Sequence, residues 1–154
     1  MRTRARAFMA TSAVFVLAGA MAGCSSGTSV YDVTVGDCLM QPEDASEVTS
    51  VEVVDCAQPH DYELYAEFEV DMADSWPGTD AIADAADLGC YDAFGDFVGV
   101  PYEESELFYM YYSPSQESWE QDDDRLIQCL VFEASDDFGA DVVSGVGTLA
   151  GAER

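Results

Sequence analysis

Between Asp61 and Val70 apolar and polar residues alternate. Tyr62, Leu64, Ala66, Phe68 and Val70 interleave with Glu63, Tyr65, Glu67 and Glu69. A period of two marks a strand with one face buried and the other in water. The β-branched run Val51 to Cys56 comes just before it, and Ala57-Gln58-Pro59-His60 supplies a turn, so a hairpin is expected here. Val30 to Val35 reads as a further strand, stopped at Gly36-Asp37. Beyond the Pro77-Gly78 break the period changes. Ile82, Ala86, Cys90, Ala93 and Phe97 recur at spacings of three and four, with Asp80, Asp84 and Asp87 on other faces. This predicts a helix with Thr79 as its N-cap, Asp80 in the first turn where the dipole favours an anion, and a stop at Gly99 and Pro101. Leu107 to Tyr112 and Arg125 to Glu133 read as two more strands, the second presenting Ile127, Cys129 and Val131 on one face. Ser135 to Arg154 reads as a Gly-rich terminal extension with one short strand at Val142. The expected architecture is α+β, an antiparallel sheet with one main helix packed on it.

The amino terminus follows none of these periods. Arg2, Arg4 and Arg6 form a basic region, and Ala7 to Gly23 is a stretch of small and aliphatic residues, short for a stable membrane span. It ends Met21-Ala22-Gly23-Cys24, which resembles the lipobox of bacterial lipoproteins. On this reading residues 1–23 are a signal peptide and Cys24 carries a diacylglyceryl group. Residues 24–30, rich in Ser, Gly and Thr, then form a flexible tether. An ordinary secretory peptide with an incidental cysteine is the alternative. The expected location is the extracytoplasmic face of the cell membrane, reached through the lipid.

The remaining cysteines fit that compartment. Cys38, Cys56, Cys90 and Cys129 are an even number in an oxidising environment, and three pairings are possible. Cys90 lies on the apolar face of the helix and Cys129 at a core-facing strand position. This favours the most local scheme, Cys38–Cys56 with Cys90–Cys129, and a disulfide-stapled domain. A zinc site built from Cys56, His60 and other cysteines is the sharper alternative, but the chain has no Cys-x-x-Cys pair. No metal and no cofactor is expected.

Charge narrows the partners. The chain holds 5 Arg and no Lys against 31 acids, a formal charge of −26. Phosphate contacts need clustered basic side chains, so nucleic acid is excluded, as is electrostatic docking onto an anionic membrane surface. Three of the five arginines lie at positions 2, 4 and 6. Past residue 23, Arg125 and Arg154 therefore face all 31 acids, a side-chain balance of −29. Such a surface repels its own copies, and a monomer is expected. Asp122-Asp123-Asp124 is the densest acidic cluster, yet it lacks the Asp-x-Asp-x-Asp-Gly register of a calcium loop and reads as a solvated turn.

Several motifs together resemble a known family. Val35-Gly36-Asp37-Cys38, then Val54-Asp55-Cys56 with Pro59-His60 and Glu63, looks like the opening of the septum-formation domain of actinobacterial envelope proteins. Cys90 with Phe94, Pro114, Trp119, Asp124-Arg125, Cys129 and Gly147-Thr148-Leu149 are similar to its later elements. The resemblance covers roughly residues 31–152. One departure is Asp123, where that domain carries Gly before the Asp-Arg pair. The resemblance implies a role in division or at the envelope, with envelope or division proteins as partners.

Catalytic constellations are weak. His60, the only histidine, could act as a general base with Asp61 or Glu63, but no Gly-x-Ser-x-Gly elbow or comparable nucleophile accompanies it. The alternative is that Pro59 fixes the turn while a half-exposed His60 hydrogen-bonds the backbone. Arg125 is expected to pair with a partly buried acid, or else to clamp a ligand carboxylate. Trp119 with Tyr109, Tyr111 and Tyr112 could form a binding platform, although core packing explains them as well. His60, Trp119 and Arg125 are therefore the candidate contacts. The chain reads as a non-enzymatic interaction or accessory module. The alternatives are a small binding protein for peptidoglycan, peptide or divalent cation, and an envelope hydrolase using His60.

Overall fold

The computed structural model describes residues 27–42 and 48–154, so the expected signal peptide and Cys24 lie outside the described residues. Its strands, in chain order, are β1 (Thr28–Ser29), β2 (Cys38–Leu39), β3 (Ser50–Val51), β4 (Val53–Val54), β5 (Tyr62–Glu69), β6 (Phe108–Tyr112), β7 (Leu126–Ala134) and β8 (Val142–Val143). Two α-helices, α1 (Thr79–Val98) and α2 (Gln116–Gln121), lie among them. All strand pairings are antiparallel, in the order β4-β2-β5-β7-β6, with β8 added on β7 and a separate β1–β3 pair. The fold is α+β, with one main helix on an antiparallel sheet.

Helix α1 covers one face of that sheet. Its buried stripe is Ile82, Ala86, Cys90, Phe94 and Val98, a strict spacing of four. Ala93 and Phe97, expected in the stripe, flank it half-buried. Gly78 takes the N-cap position in place of Thr79, with a φ of 100°. The left-handed Gly99 closes the helix at φ 97°, its N–H donating to Gly95 O. Gly89 has its own reason for being in a helix. A Cβ there would sit 2.2 Å from Cζ of the Phe68 ring, whose tip reaches the helix backbone at that turn.

β7 is the axis of the sheet. Ile127, Cys129 and Val131 face α1, while Leu130 and Phe132 belong to a second core with Tyr62, Leu64, Leu39, Val51, Val30 and Val33 on the opposite face. Burial on both faces changes the reading of β5. The expected wet positions Glu63 and Tyr65 are buried, and the alternation is broken by a register shift between Leu64 and Ala66. Such an extra residue re-aims the side chains that follow it. Tyr65 turns under the helix, where its hydroxyl donates to Cys90 O at 2.7 Å.

Two expectations fail near the start of the domain. Val30 to Val35 is not a strand; Val30–Asp32 is a single 3-10 turn. Local polar groups divert the backbone, with Thr34 N–H donating to the Asp37 carboxylate at 2.8 Å. The 51–56 and 61–70 segments do not form a hairpin either, because β2 inserts between β4 and β5 and pairs with both. Thr28 and Ser29, read as tether, pair with Val51 and Ser50. The 135–154 segment is also more than an extension. Gly151 N–H donates to Phe97 O and Glu153 N–H to Val98 O, which binds the terminus to the end of α1.

Both disulfides are present. Cys38–Cys56 joins β2 to the end of β4's segment, and Cys90–Cys129 ties α1 to β7. Their Cα separations are 5.3 and 5.4 Å.

Candidate functional site

Two of the expected contacts, Trp119 and Arg125, come together, while the third, His60, lies elsewhere. Pro114 and Ser115 start α2, where Ser115 and Ser118 form a reciprocal capping box. The helix is short and presents Trp119 inward, while Ser118 holds the following turn through Asp124. That residue is 1% exposed, its indole N–H donating to Asp74 O at 2.9 Å and its ring meeting Trp76 edge-on. Trp119 is therefore core, not an exposed platform. The chain then turns back through Asp122-Asp123-Asp124. Asp123 holds a φ of 56°, the left-handed region that Gly occupies without strain and that Asp tolerates. Asp123 thus makes a left-handed turn here without a glycine.

Arg125 closes this corner. Its guanidinium lies 3.5 Å above the Trp119 ring, and Nη1 donates to Trp119 O at 3.1 Å and to Asp124 O at 2.8 Å. Its acidic partner is Asp123, at 2.9 Å, whose side chain is 90% exposed. The expected partly buried acid is thus corrected to a solvent-facing one. An exposed pair contributes little, so the aromatic face and the two carbonyls hold the arginine.

His60 is buried, not half-exposed. Its backbone bridges Gly145 in both directions, and its ring Nδ1–H donates to Gln58 O at 2.9 Å. Beside it is a carboxylate that the sequence offered only as a possible partner for the His60 ring. Glu63, 1% exposed, accepts from Thr148 Oγ1 and from Leu149 N–H, both at 2.6 Å. Glu63 thereby fastens Gly147-Thr148-Leu149 against the sheet. In sequence its regular place in the period-two pattern pointed outward, into water. Cys38, His60 and Glu63 bring potential ligand atoms within 4.8 Å of one another. The Cys38 sulfur is bonded to Cys56, however, so no thiolate is present and the zinc geometry of three or four free donors is not met.

A groove of about 280 Å³ opens on the face of the sheet away from α1, lined by Tyr31, Thr49, Tyr112, Ser115, Asp124 and Gln128 among others. The Tyr112 hydroxyl is buried without a hydrogen-bond partner among the described residues, and burial pushes its pKa up to about 12. Asp124 is already used by Tyr31 OH, Ser118 Oγ and Leu126 N–H. The groove therefore offers hydroxyls and aromatic faces more than charge.

A family model described as septum formation matches residues 34–154, most of the chain. The chain belongs to the septum-formation family. That membership ties it to cell division or the cell envelope. No curated protein and no solved structure matches the chain. Among the described residues of this septum-formation domain, no helix is long and apolar enough to cross a membrane.

Proposed function

We propose that this chain is a lipid-anchored envelope protein whose septum-formation domain acts as a non-enzymatic interaction module. The observation that carries the reading is the use made of the two best candidates for acid–base chemistry. His60 donates to the Gln58 carbonyl, and Glu63 holds the backbone of Leu149. Both work as internal fasteners. The paired cysteines support a compartment outside the cytoplasm, since disulfides persist where the environment is oxidising. Cys24 is the proposed attachment point, placing the domain on the outer face of the membrane as a monomer, with envelope or division proteins as its partners. The groove beside Tyr112 favours a second reading, a small binding protein for peptide or a peptidoglycan fragment.

Fatty-acid labelling of cells tests the anchor: the wild type takes up label and Cys24→Ala does not. A Cys24→Ala protein that still labels would defeat the lipid reading. Complementation with His60→Gln tests the module. The variant should function to the extent that it folds, and a stable variant that fails to complement would return the domain to the hydrolases.

A further inference from the structure

β6 is the last strand of the six-stranded sheet, with β7 on one side and no backbone partner on the other among the described residues. The register says which of its groups face outward. Val70 N–H donates to Arg125 O at 3.0 Å and continues the Glu69–Leu126 pairing. In an antiparallel ladder, bonded and non-bonded pairs alternate, so the odd-numbered residues of β7 direct N–H and C=O towards β5 and the even-numbered ones towards β6. Gln128, Leu130 and Phe132 lie opposite Tyr112, Met110 and Phe108. The N–H and C=O of Tyr109 and Tyr111 are thus the groups aimed away from the sheet. Leu107, the preceding residue of that outward series, has its N–H taken by Ser105 Oγ at 3.0 Å.

An open edge of this kind is normally blunted by Lys, Pro or a bulge. β6 has none of these. It is Phe-Tyr-Met-Tyr-Tyr, half-buried throughout. What protects it is charge. Asp84 and Asp87 on α1 are exposed near Tyr109 and Tyr111. Burial first, and then the Asp87 carboxylate, push both phenols upward, and Asp84 adds to the effect at Tyr111. Glu103, Glu104 and Glu106 precede the strand, and Glu117 and Glu120 follow it on the short helix. Of the two described arginines, Arg125 is held against Trp119 and Asp123, and Arg154, whose carbonyl accepts from Ser105 Oγ just before the strand, pairs with Glu133.

We propose that the outer edge of β6 is a docking site for an extended basic segment of a partner protein, which joins the sheet as an added strand. Main-chain bonds to Tyr109 and Tyr111 supply the register, and alternate Lys or Arg side chains meet Asp84 and Asp87. A second copy of the chain is the poorer occupant, because it would bring another −26 to the same edge. The inference rests on the interaction-module reading above.

The test uses the full chain and a short peptide of alternating lysine and valine, with amide hydrogen exchange as the readout. The peptide should slow exchange at Tyr109 and Tyr111, which exchange fast in its absence, while Phe108, Met110 and Tyr112 are protected throughout. Replacing both Asp84 and Asp87 by Asn should weaken binding roughly fivefold, from two exposed ion pairs. N-methylation of the peptide backbone at alternate residues should abolish it. Three results would overturn the proposal: saturation with peptide that leaves Tyr109 and Tyr111 unprotected, equal binding of a glutamate–valine peptide, or protection that grows with protein concentration alone. If the edge fails while His60→Gln still complements, the interaction-module reading stands and only the docking surface is lost. If His60→Gln is stable and fails, that reading falls instead.

Discussion

Removing the Glu63 carboxylate should release the carboxyl-terminal segment from the sheet. Glu63 is 1% exposed and among the described residues no arginine pairs with it, so its compensation for burial is the two bonds from Thr148 Oγ1 and Leu149 N–H. Hydrogen bonds to charged groups contribute about 1.5–3 kcal/mol each. Glu63→Gln keeps the shape and one carbonyl, which can still accept from Leu149, while the Thr148 hydroxyl can rotate to accept from the new amide. A loss of about 2 kcal/mol is expected, from weakened charge assistance on both bonds. Glu63→Leu strands the Leu149 N–H in the core, so its cost should rise to about 4 kcal/mol. For a domain of this size those losses lower the melting temperature by roughly 8 and 15 °C. Differential scanning calorimetry measures both variants, and hydrogen exchange at the Leu149 amide reports the local contact. A buried carboxylate can also be neutral to replace, because its desolvation cost disappears with it. A Glu63→Leu protein within about 1 kcal/mol of wild type, with Leu149 still protected, would therefore refute the fastening role.

Arg125→Met should cost about 2 kcal/mol, from the ring contact and the two carbonyls left behind, while Asp123→Asn should cost under about 0.5 kcal/mol because that acid is exposed; urea unfolding separates them, and equal losses would show that the ion pair dominates. Replacing both Cys90 and Cys129 by Ser should remove about 4 kcal/mol, since the bridge spans a separation of 39 residues; a much smaller drop in the urea midpoint would place the stabilisation elsewhere. High pH should unfold the domain. Burial raises the phenols of Tyr65, Tyr109 and Tyr112, the last two to about 12, above the unfolded value near 10. The stability they contribute is complete below pH ~10 and is lost as the pH rises through the folded values. Tyrosinate absorbance followed beside circular dichroism should show these groups ionising late and together with unfolding, and early ionisation of all tyrosines in a folded protein would contradict it.

Much of this protein is determined by periods that act within a few residues. A spacing of three and four places Cys90 on the inner face of a helix, and a spacing of two places Ile127, Cys129 and Val131 on one face of a strand. Backbone geometry alone dictates both, which is why the Cys90–Cys129 bridge and the helix-on-sheet architecture could be read before any coordinates. The helix stop at Gly99 is of the same kind, since it depends on one residue's freedom to turn left-handed. Strand order is not. β2 displaces the expected hairpin because it takes the β5 edge itself and carries β4, to whose segment Cys38–Cys56 ties it, on its other side, and that competition involves residues far apart in sequence. The same holds for Glu63, where alternation points outward but the returning segment at Thr148 and Leu149 covers the position and supplies its donors. Arg125 shows it for charge. Among 31 acids any could have been its partner, and only the packing of Trp119 and the left-handed turn at Asp123 decided which groups it meets. Local periods give each segment its inner face; which other segment closes over that face is settled only when residues distant in the chain compete for it.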